Sequence, residues 1–150
     1  MVKVLDKTLE DDLLYDGIAR LFVTAQNSIL GMSRAIIKGR YSTVYVQFSK
    51  RMGVDGNLVP TIEFNNIGVK PRYQGHGVFK GLINYADQTY PGHAIFIELV
   101  HNERLAHHLR HDPRFINYDE YTNNYGTIDY LDHVYEGLAF SYICLREIVA

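Results

Sequence analysis

Apolar residues recur along this chain with two different periods, and the switches between them mark the predicted elements. Leu14, Ile18, Leu21, Phe22 and Ala25 follow three- and four-residue steps and predict an amphipathic helix. Thr8, three residues before Asp11, has the form of a capping box with Asp in the Glu position. Met32, Ile36 and Ile37 continue helical spacing and predict a second helix over Ser28–Lys38, ended by Gly39. Val2–Leu5 reads as a short opening strand. Thr43–Ser49 and Thr61–Val69 are rich in β-branched and aromatic residues and read as strands, with a turn-rich connection over Gly53–Asn57. Pro71 stops the second of these strands. Val78, Phe79, Leu82, Ile83 and Ala86 form one apolar stripe, predicting a helix from Val78 to Tyr90 that Pro91-Gly92 terminates. Ala94–Val100 is a nearly continuous apolar run of strand length, the pattern of a buried parallel strand. Asn102 opens a short helix with Leu105, Ala106 and Leu109 inward, ended by Asp112-Pro113. Thr127–Leu131 and Leu138–Ile148 read as closing antiparallel strands. Strand, glycine turn, helix, strand, helix in the middle third implies a right-handed crossover, and hence an α/β fold.

The 150 residues are the size of one domain, spanning 1–150. Hydrophobic residues at 47% and charged residues at 21% fit a soluble globular class. A lone cysteine, Cys144, excludes an internal disulfide framework and a four-cysteine zinc site, and it points to a reducing, cytoplasmic compartment. No apolar run approaches the ~20 residues of a membrane span, and Met1–Glu10 lacks the basic-then-apolar order of a secretory signal. The net charge of −2 argues against wrapping nucleic acid, which needs clustered Lys and Arg. His107 and His111 have the i, i+4 spacing of a helical metal pair, but the sequence between them lacks the Glu of a zinc protease; they read as solvated helix residues, with no metal site.

The segment Val69-Lys70-Pro71-Arg72-Tyr73-Gln74-Gly75-His76-Gly77-Val78 joins a predicted strand to a predicted helix. The first turn of a helix offers unused N–H groups and the positive end of its dipole. Glycines just ahead of it let a ligand come close to the backbone, so the place suits a phosphate. The residues fit neither the P-loop, which needs Gly-Lys-Ser/Thr, nor the dinucleotide fingerprint, which needs a third glycine. A plain glycine turn is the alternative reading.

Val69, Pro71, Tyr73, Gln74, Gly75 and Gly77 have the spacing of motif A in the GNAT acetyltransferases, and the chain resembles that family over residues 61–115. The resemblance implies a GNAT-like α/β fold: a mixed, twisted sheet with helices on both faces, splayed between strands 61–69 and 94–100. It also implies acetyl-CoA as co-substrate, its pyrophosphate held by the backbone amides of Gln74, Gly75, His76, Gly77, Val78 and Phe79. Phe79 stands where the family has a small residue. Ala94–Val100 is similar to the family's fifth strand, and Asn102 follows where relatives carry an Asn that bonds the pantetheine arm; an ordinary helix N-cap is the alternative there. Homodimers are common in the family and are the corresponding expectation for assembly.

Acetyl transfer to an amine needs a base for the ammonium proton, donors for the developing oxyanion, and a proton for the leaving thiolate. By resemblance the base is Glu63, six residues before Val69, with Glu98, which interrupts an apolar strand, as rival. The oxyanion donor falls on the main chain at Ile67–Val69, where Asn65-Asn66-Ile67-Gly68 contains residues that tolerate a bulge. The tyrosine that many relatives use as acid is replaced by Leu109. Tyr118 and Tyr125 are the substitute candidates. From Tyr118 to Glu136 the chain is rich in tyrosine and carries Asp119, Glu120, Asp129, Asp132 and Glu136 without a Lys or Arg, which suits a cationic amine acceptor, a small molecule or a protein lysine; a solvated acidic surface is the alternative. Two rivals remain. One is a GNAT-fold protein without catalysis that binds a partner protein. The other is acyl transfer to a different acceptor such as a nucleobase, served by a basic face at Arg104, Arg110 and Arg114.

Overall fold

The computed structural model describes residues 9–52, 56–98, 103–117 and 142–144. Helix α1 spans Asp12–Gln26 and buries Leu14, Ile18, Leu21 and Ala25, as the spacing predicts. It starts later than the Thr8 pattern implies, because Asp11 is the N-cap: its carboxylate accepts the Leu14 N–H at 3.2 Å.

The expected helix over Ser28–Lys38 does not form. Gly31 takes a left-handed φ of +67°, and Ser33–Lys38 is strand β1, antiparallel to β2 (Ser42–Met52). Residues 32–37 satisfy both periods. The alternation Ala35 and Ile37 inward, Ile36 outward and 65% exposed, wins because β2 supplies cross-strand partners for it. Gly39 therefore ends no helix; it lies in the β1–β2 turn and donates its N–H to the Ser42 carbonyl at 2.7 Å.

Strand β3 (Leu58–Val69) pairs antiparallel with β2. A short 3-10 turn, Pro71–Tyr73, leads to helix α2 (Val78–Thr89) and to β4 (Ala94–Ile97), which lies parallel to β3. Helix α3 (Glu103–Arg110), β5 (Ile116–Asn117) and β6 (Tyr142–Cys144) complete the described elements. They form an α/β structure with a six-stranded mixed sheet in the order β1-β2-β3-β4-β6-β5.

The main core gathers Leu14 and Ile18 of α1, Leu82, Ile83 and Ala86 of α2 and Leu109 of α3 against Val44, Val46, Ile62, Phe64, Ile95 and Ile97 of the sheet. Among the described residues the helices thus cover one face, which corrects the expectation of helices on both. Helix α2 carries the chain from β3 to β4, and α3 carries it from β4 to β5. Both steps run the same way across the sheet, and right-handed crossovers stepping one way return to the same face. The opposite face holds a smaller cluster, Ala94, Phe96 and Ile143, beside the buried polar residues Ser49, Glu63 and Asn65.

The Asp11 carboxylate does more than cap a helix. It also accepts the N–H groups of Arg40 (2.7 Å) and Tyr41 (2.9 Å) and the Ser42 hydroxyl (3.0 Å), which ties α1 to the β1–β2 turn. A Cβ on Gly39 would run into the Asp11 carboxylate, so a larger residue there would displace it from its donors. The turn in turn holds the end of β3: the Lys70 N–H donates to the Tyr41 carbonyl at 2.9 Å, and the rings of Tyr41 and Tyr73 meet edge-on at 4.6 Å. Asp11→Ala removes the cap and leaves three further donors without their acceptor. It is expected to lower unfolding free energy by about 3 kcal/mol, read from urea denaturation at neutral pH. Asp11→Asn, which keeps one acceptor oxygen, should recover only part of that loss.

Candidate functional site

Two irregular places, adjacent in the fold, carry the candidate chemistry. The first is the turn before α2. After the 3-10 turn Gln74 is extended, and Gly75 (φ +80°) and Gly77 (φ +79°) are both left-handed, a conformation glycine adopts without the Cβ penalty. Gly77 is the N-cap of α2, so no side chain caps the helix. Among the described residues no turn, loop or side-chain hydrogen bond uses the N–H of Gly75, His76, Gly77, Val78 or Phe79. Among the described residues, its chain neighbours aside, nothing lies within 4 Å of where a Gly75 Cβ would be. The turn is braced from outside: the His76 carbonyl accepts the Leu9 N–H at 3.0 Å, and the Gln74 side-chain amide donates to the Val69 carbonyl at 3.0 Å. The Gln74 backbone N–H donates to the Pro71 carbonyl at 3.3 Å, so Gln74 braces the turn and does not join the free amides. Val78 is buried and Phe79 half-buried with its edge on the His108 ring, so these two offer a ligand backbone only. Residues 64–86 include Lys70, Arg72 and Lys80 and no carboxylate, so local charge favours an anion.

The second place is the end of the β3–β4 pairing. These strands run in register from Thr61↔Ala94 to Phe64↔Ile97, and the Glu98 N–H adds a last bond to the Phe64 carbonyl at 3.3 Å. β3 continues to Val69 without a described partner on that side. Its pairing with β2 also breaks there. The register jumps from Tyr45↔Asn65 to Thr43↔Gly68, leaving Asn66 and Ile67 opposite Val44 alone. This is a β-bulge, and Asn66 turns it with a left-handed φ of +50°, which Asn tolerates better than most residues. The bulge expected at 65–68 is present. It takes Ile67 out of the ladder, whereas Val69 remains in register with Ser42.

Beside the bulge, the face opposite the helices carries a buried ion cluster. Glu63 is 3% exposed, and its Oε1 and Oε2 accept from Arg51 Nη2 (3.1 Å) and Nε (3.2 Å), while Oε2 also accepts the Ser49 hydroxyl. Arg51 lies 3.7 Å from the centre of the Phe96 ring, and its Nη2 is 4.0 Å from Oε1 of Glu98. One guanidinium thus bridges both carboxylates that the sequence nominates as base. Glu63 is the closer partner of Arg51, with three donors on its two oxygens. The Glu98 side chain is 38% exposed and makes only the longer contact to Arg51 Nη2.

Leu109 is fully buried in the main core, as an apolar replacement for an acid implies. Asn102, Tyr118 and Tyr125 lie outside the described residues. The rings of His107 and His111 stand 4.2 Å apart, with His111 Nδ1 2.8 Å from the His107 carbonyl, and no group of three metal-ligating side chains occurs among the described residues. Arg114 is paired with Asp112 at 2.8 Å and with Asp87 at 3.7 Å, which weakens the basic face proposed for a nucleobase substrate. The Arg114 guanidinium holds the Asp112 carboxyl below the usual carboxylate range.

Ser49, Arg51 and Asn65 escape a reading based on family spacing. A signal for two of them exists on β2: Val44, Val46 and Phe48 alternate with Tyr45, Gln47, Ser49 and Arg51, a polar stripe too long for a face that simply meets the core. No protein-family model and no curated protein matches the chain. Among solved structures, the chain is similar to one in "The crystal structure of KacTA-DNA complex", at 13% identity over 95% of this chain and 87% of that one, with a TM-score of 0.41. A likeness at that score leaves the chemistry to be argued from this chain's own residues. No helix of the described residues is long and apolar enough to cross a membrane.

Removing one partner of a buried ion pair strands the other. Arg51→Ala is therefore expected to cost about 3 kcal/mol, measured by chemical denaturation. The double variant Arg51→Met with Glu63→Leu should recover most of it, since apolar residues of similar size need no partner.

Proposed function

We propose that this chain belongs with the GNAT acyltransferases, binds acetyl-CoA, and transfers its acetyl group to a cationic amine. The observation that carries the reading is the start of α2: an uncapped helix terminus behind two left-handed glycines, open to one side, with unused amides from Gly75 to Phe79. That combination suits a diphosphate, which brings two negative groups to the positive end of a helix. A second support is that the described pairing of β3 with β4 ends at Phe64 while β3 runs on to Val69, which accords with the splayed mixed sheet the resemblance implies. Strand pairing that stops inside a sheet leaves backbone groups to be met by something else, and an extended amide-bearing arm would meet them.

In this reading each group has a distinct task. The amides of Gly75–Phe79 hold the pyrophosphate, with Lys70, Arg72 and Lys80 supplying positive charge around it. The co-substrate, when bound, supplies a thioester whose carbonyl an amine attacks. The bulge turns the main-chain N–H of Ile67 or Val69 toward the developing oxyanion, Ile67 being the one out of the ladder. Glu98, more accessible than Glu63, takes the ammonium proton, directly or through water, and Glu63 holds Arg51 in place. Tyr118 and Tyr125 remain the candidates for protonating the thiolate. The acidic, tyrosine-bearing stretch 118–136, outside the described residues, is by resemblance the part that would select a cation.

A second reading, binding of acetyl-CoA without transfer, is favoured by the buried Leu109 and by the engagement of Glu63. One experiment separates the two. Isothermal titration with acetyl-CoA is expected to show saturable binding. Gly75→Ala, which strains a φ of +80° and fills the open side of the turn, should weaken that binding at least tenfold. Mass spectrometry after incubation with spermidine, an aminoglycoside and a lysine peptide then reads transfer. Binding with no acetylated product supports the second reading, and absence of binding to the wild-type chain sinks both.

A further inference from the structure

Asn65 sits where every irregularity of the site converges. It is one residue beyond Phe64, the last β3 residue paired with β4, and one residue before Asn66, which turns the bulge. Strand alternation places its side chain on the same face of β3 as Glu63 and Thr61, opposite Tyr45 of β2. The residue is 9% exposed, and among the described residues its buried Oδ1 has no hydrogen-bond partner. Among the described residues it is the only buried side-chain oxygen or nitrogen in that condition.

A buried amide oxygen without a donor is a liability in the free protein, and such atoms are few in folded chains. Neighbouring polar side chains on this face do not behave so. Glu63 collects donors from Ser49 and Arg51, and the Thr61 hydroxyl donates to the Val59 carbonyl at 3.0 Å. The unpartnered oxygen is therefore specific to the position just past the described end of the β3–β4 pairing. A leucine of similar size would fill the space without the unpaired atom.

We propose that Asn65 is a substrate-binding residue whose Oδ1 accepts a hydrogen bond from an N–H group of a ligand seated beside β3 beyond Phe64. The inference rests on the acetyltransferase reading and deepens it. Two N–H donors meet this chemistry: an amide of the pantetheine arm and the amine that accepts the acetyl group. A carboxamide oxygen suits either. Being uncharged, it orients an amine without favouring the ammonium form, as a carboxylate in its place would.

The test compares wild type, Asn65→Leu and Asn65→Ser in two arms. In the first, acetyl-CoA is titrated calorimetrically into each protein. In the second, transfer to spermidine is followed at saturating acetyl-CoA. A five- to tenfold loss of acetyl-CoA affinity in the variants assigns the bond to the pantetheine arm. Unchanged affinity with a five- to tenfold rise in KM for spermidine assigns it to the amine. Melting temperature gives the accompanying readout: Asn65→Leu should melt no lower than wild type, because no native bond is lost. No difference from wild type in either arm overturns the inference while leaving acetyl-CoA binding intact. Failure of wild type itself to bind acetyl-CoA overturns the inference together with the reading beneath it. Should Asn65→Leu fold poorly, Asn65→Ser, smaller and still polar, decides by the same two arms.

Discussion

The Asp11 carboxylate is the point on which the geometry of the site depends. Four donors from two separate pieces of chain end on it: the Leu14 N–H in the first turn of α1, and the Arg40 and Tyr41 N–H groups with the Ser42 hydroxyl at the β1–β2 turn. Carboxylates that accept several N–H bonds give charge-assisted contacts with defined direction. The turn so fixed presents the Tyr41 carbonyl to Lys70, just before Pro71, and the Tyr41 ring to Tyr73, two residues after it. Leu9, just ahead of Asp11, bonds the His76 carbonyl. The glycines before α2 are thus held from two directions, although the glycines themselves restrict the backbone least. A loop with left-handed residues can keep its amides aimed outward only if its surroundings hold it there.

The two irregular places have a common logic. Regular sheet and helix consume their own backbone groups, so a fold that presents N–H groups to a ligand must interrupt regularity somewhere. Among the described residues the interruptions are an uncapped helix start, a bulge at Asn66–Ile67, and a parallel pairing that ends at Phe64 while β3 continues. All three fall within residues 64–79. The face of the sheet beside them carries a guanidinium bridging two carboxylates and a buried amide without a partner. A face built only for stability would not retain that amide, since a well-packed apolar group costs less.

Much of this was legible beforehand. The apolar stripes of α1 and α2 identify their helices because each buries one side against the sheet, and a 3.6-residue period has no rival over that length. The strand–glycine–helix join was readable because glycine and proline punctuate the backbone through local sterics alone. The bulge was readable because asparagine tolerates a left-handed φ. Residues 32–37 were misread because their apolar positions fit both periods, and only the presence of β2 alongside settles the choice. The helix cap was assigned to Thr8 in place of Asp11 for a related reason: Asp11 has partners thirty residues away that no local pattern contains.

What the chain determined by itself was therefore local: which segments are amphipathic, where the backbone must turn, and where a helix begins behind flexible residues. These follow from side-chain volume, Cβ sterics and spacing along a few turns. Tertiary structure alone decided the rest. It paired Arg51 with Glu63 and brought Glu98 to the same guanidinium, so that the two carboxylates nominated as base share one cation. It placed the described helices on one face, and it left the Asn65 oxygen buried without a donor. Charge pairing and burial depend on distances between residues far apart in sequence, and those distances exist only once the sheet has assembled.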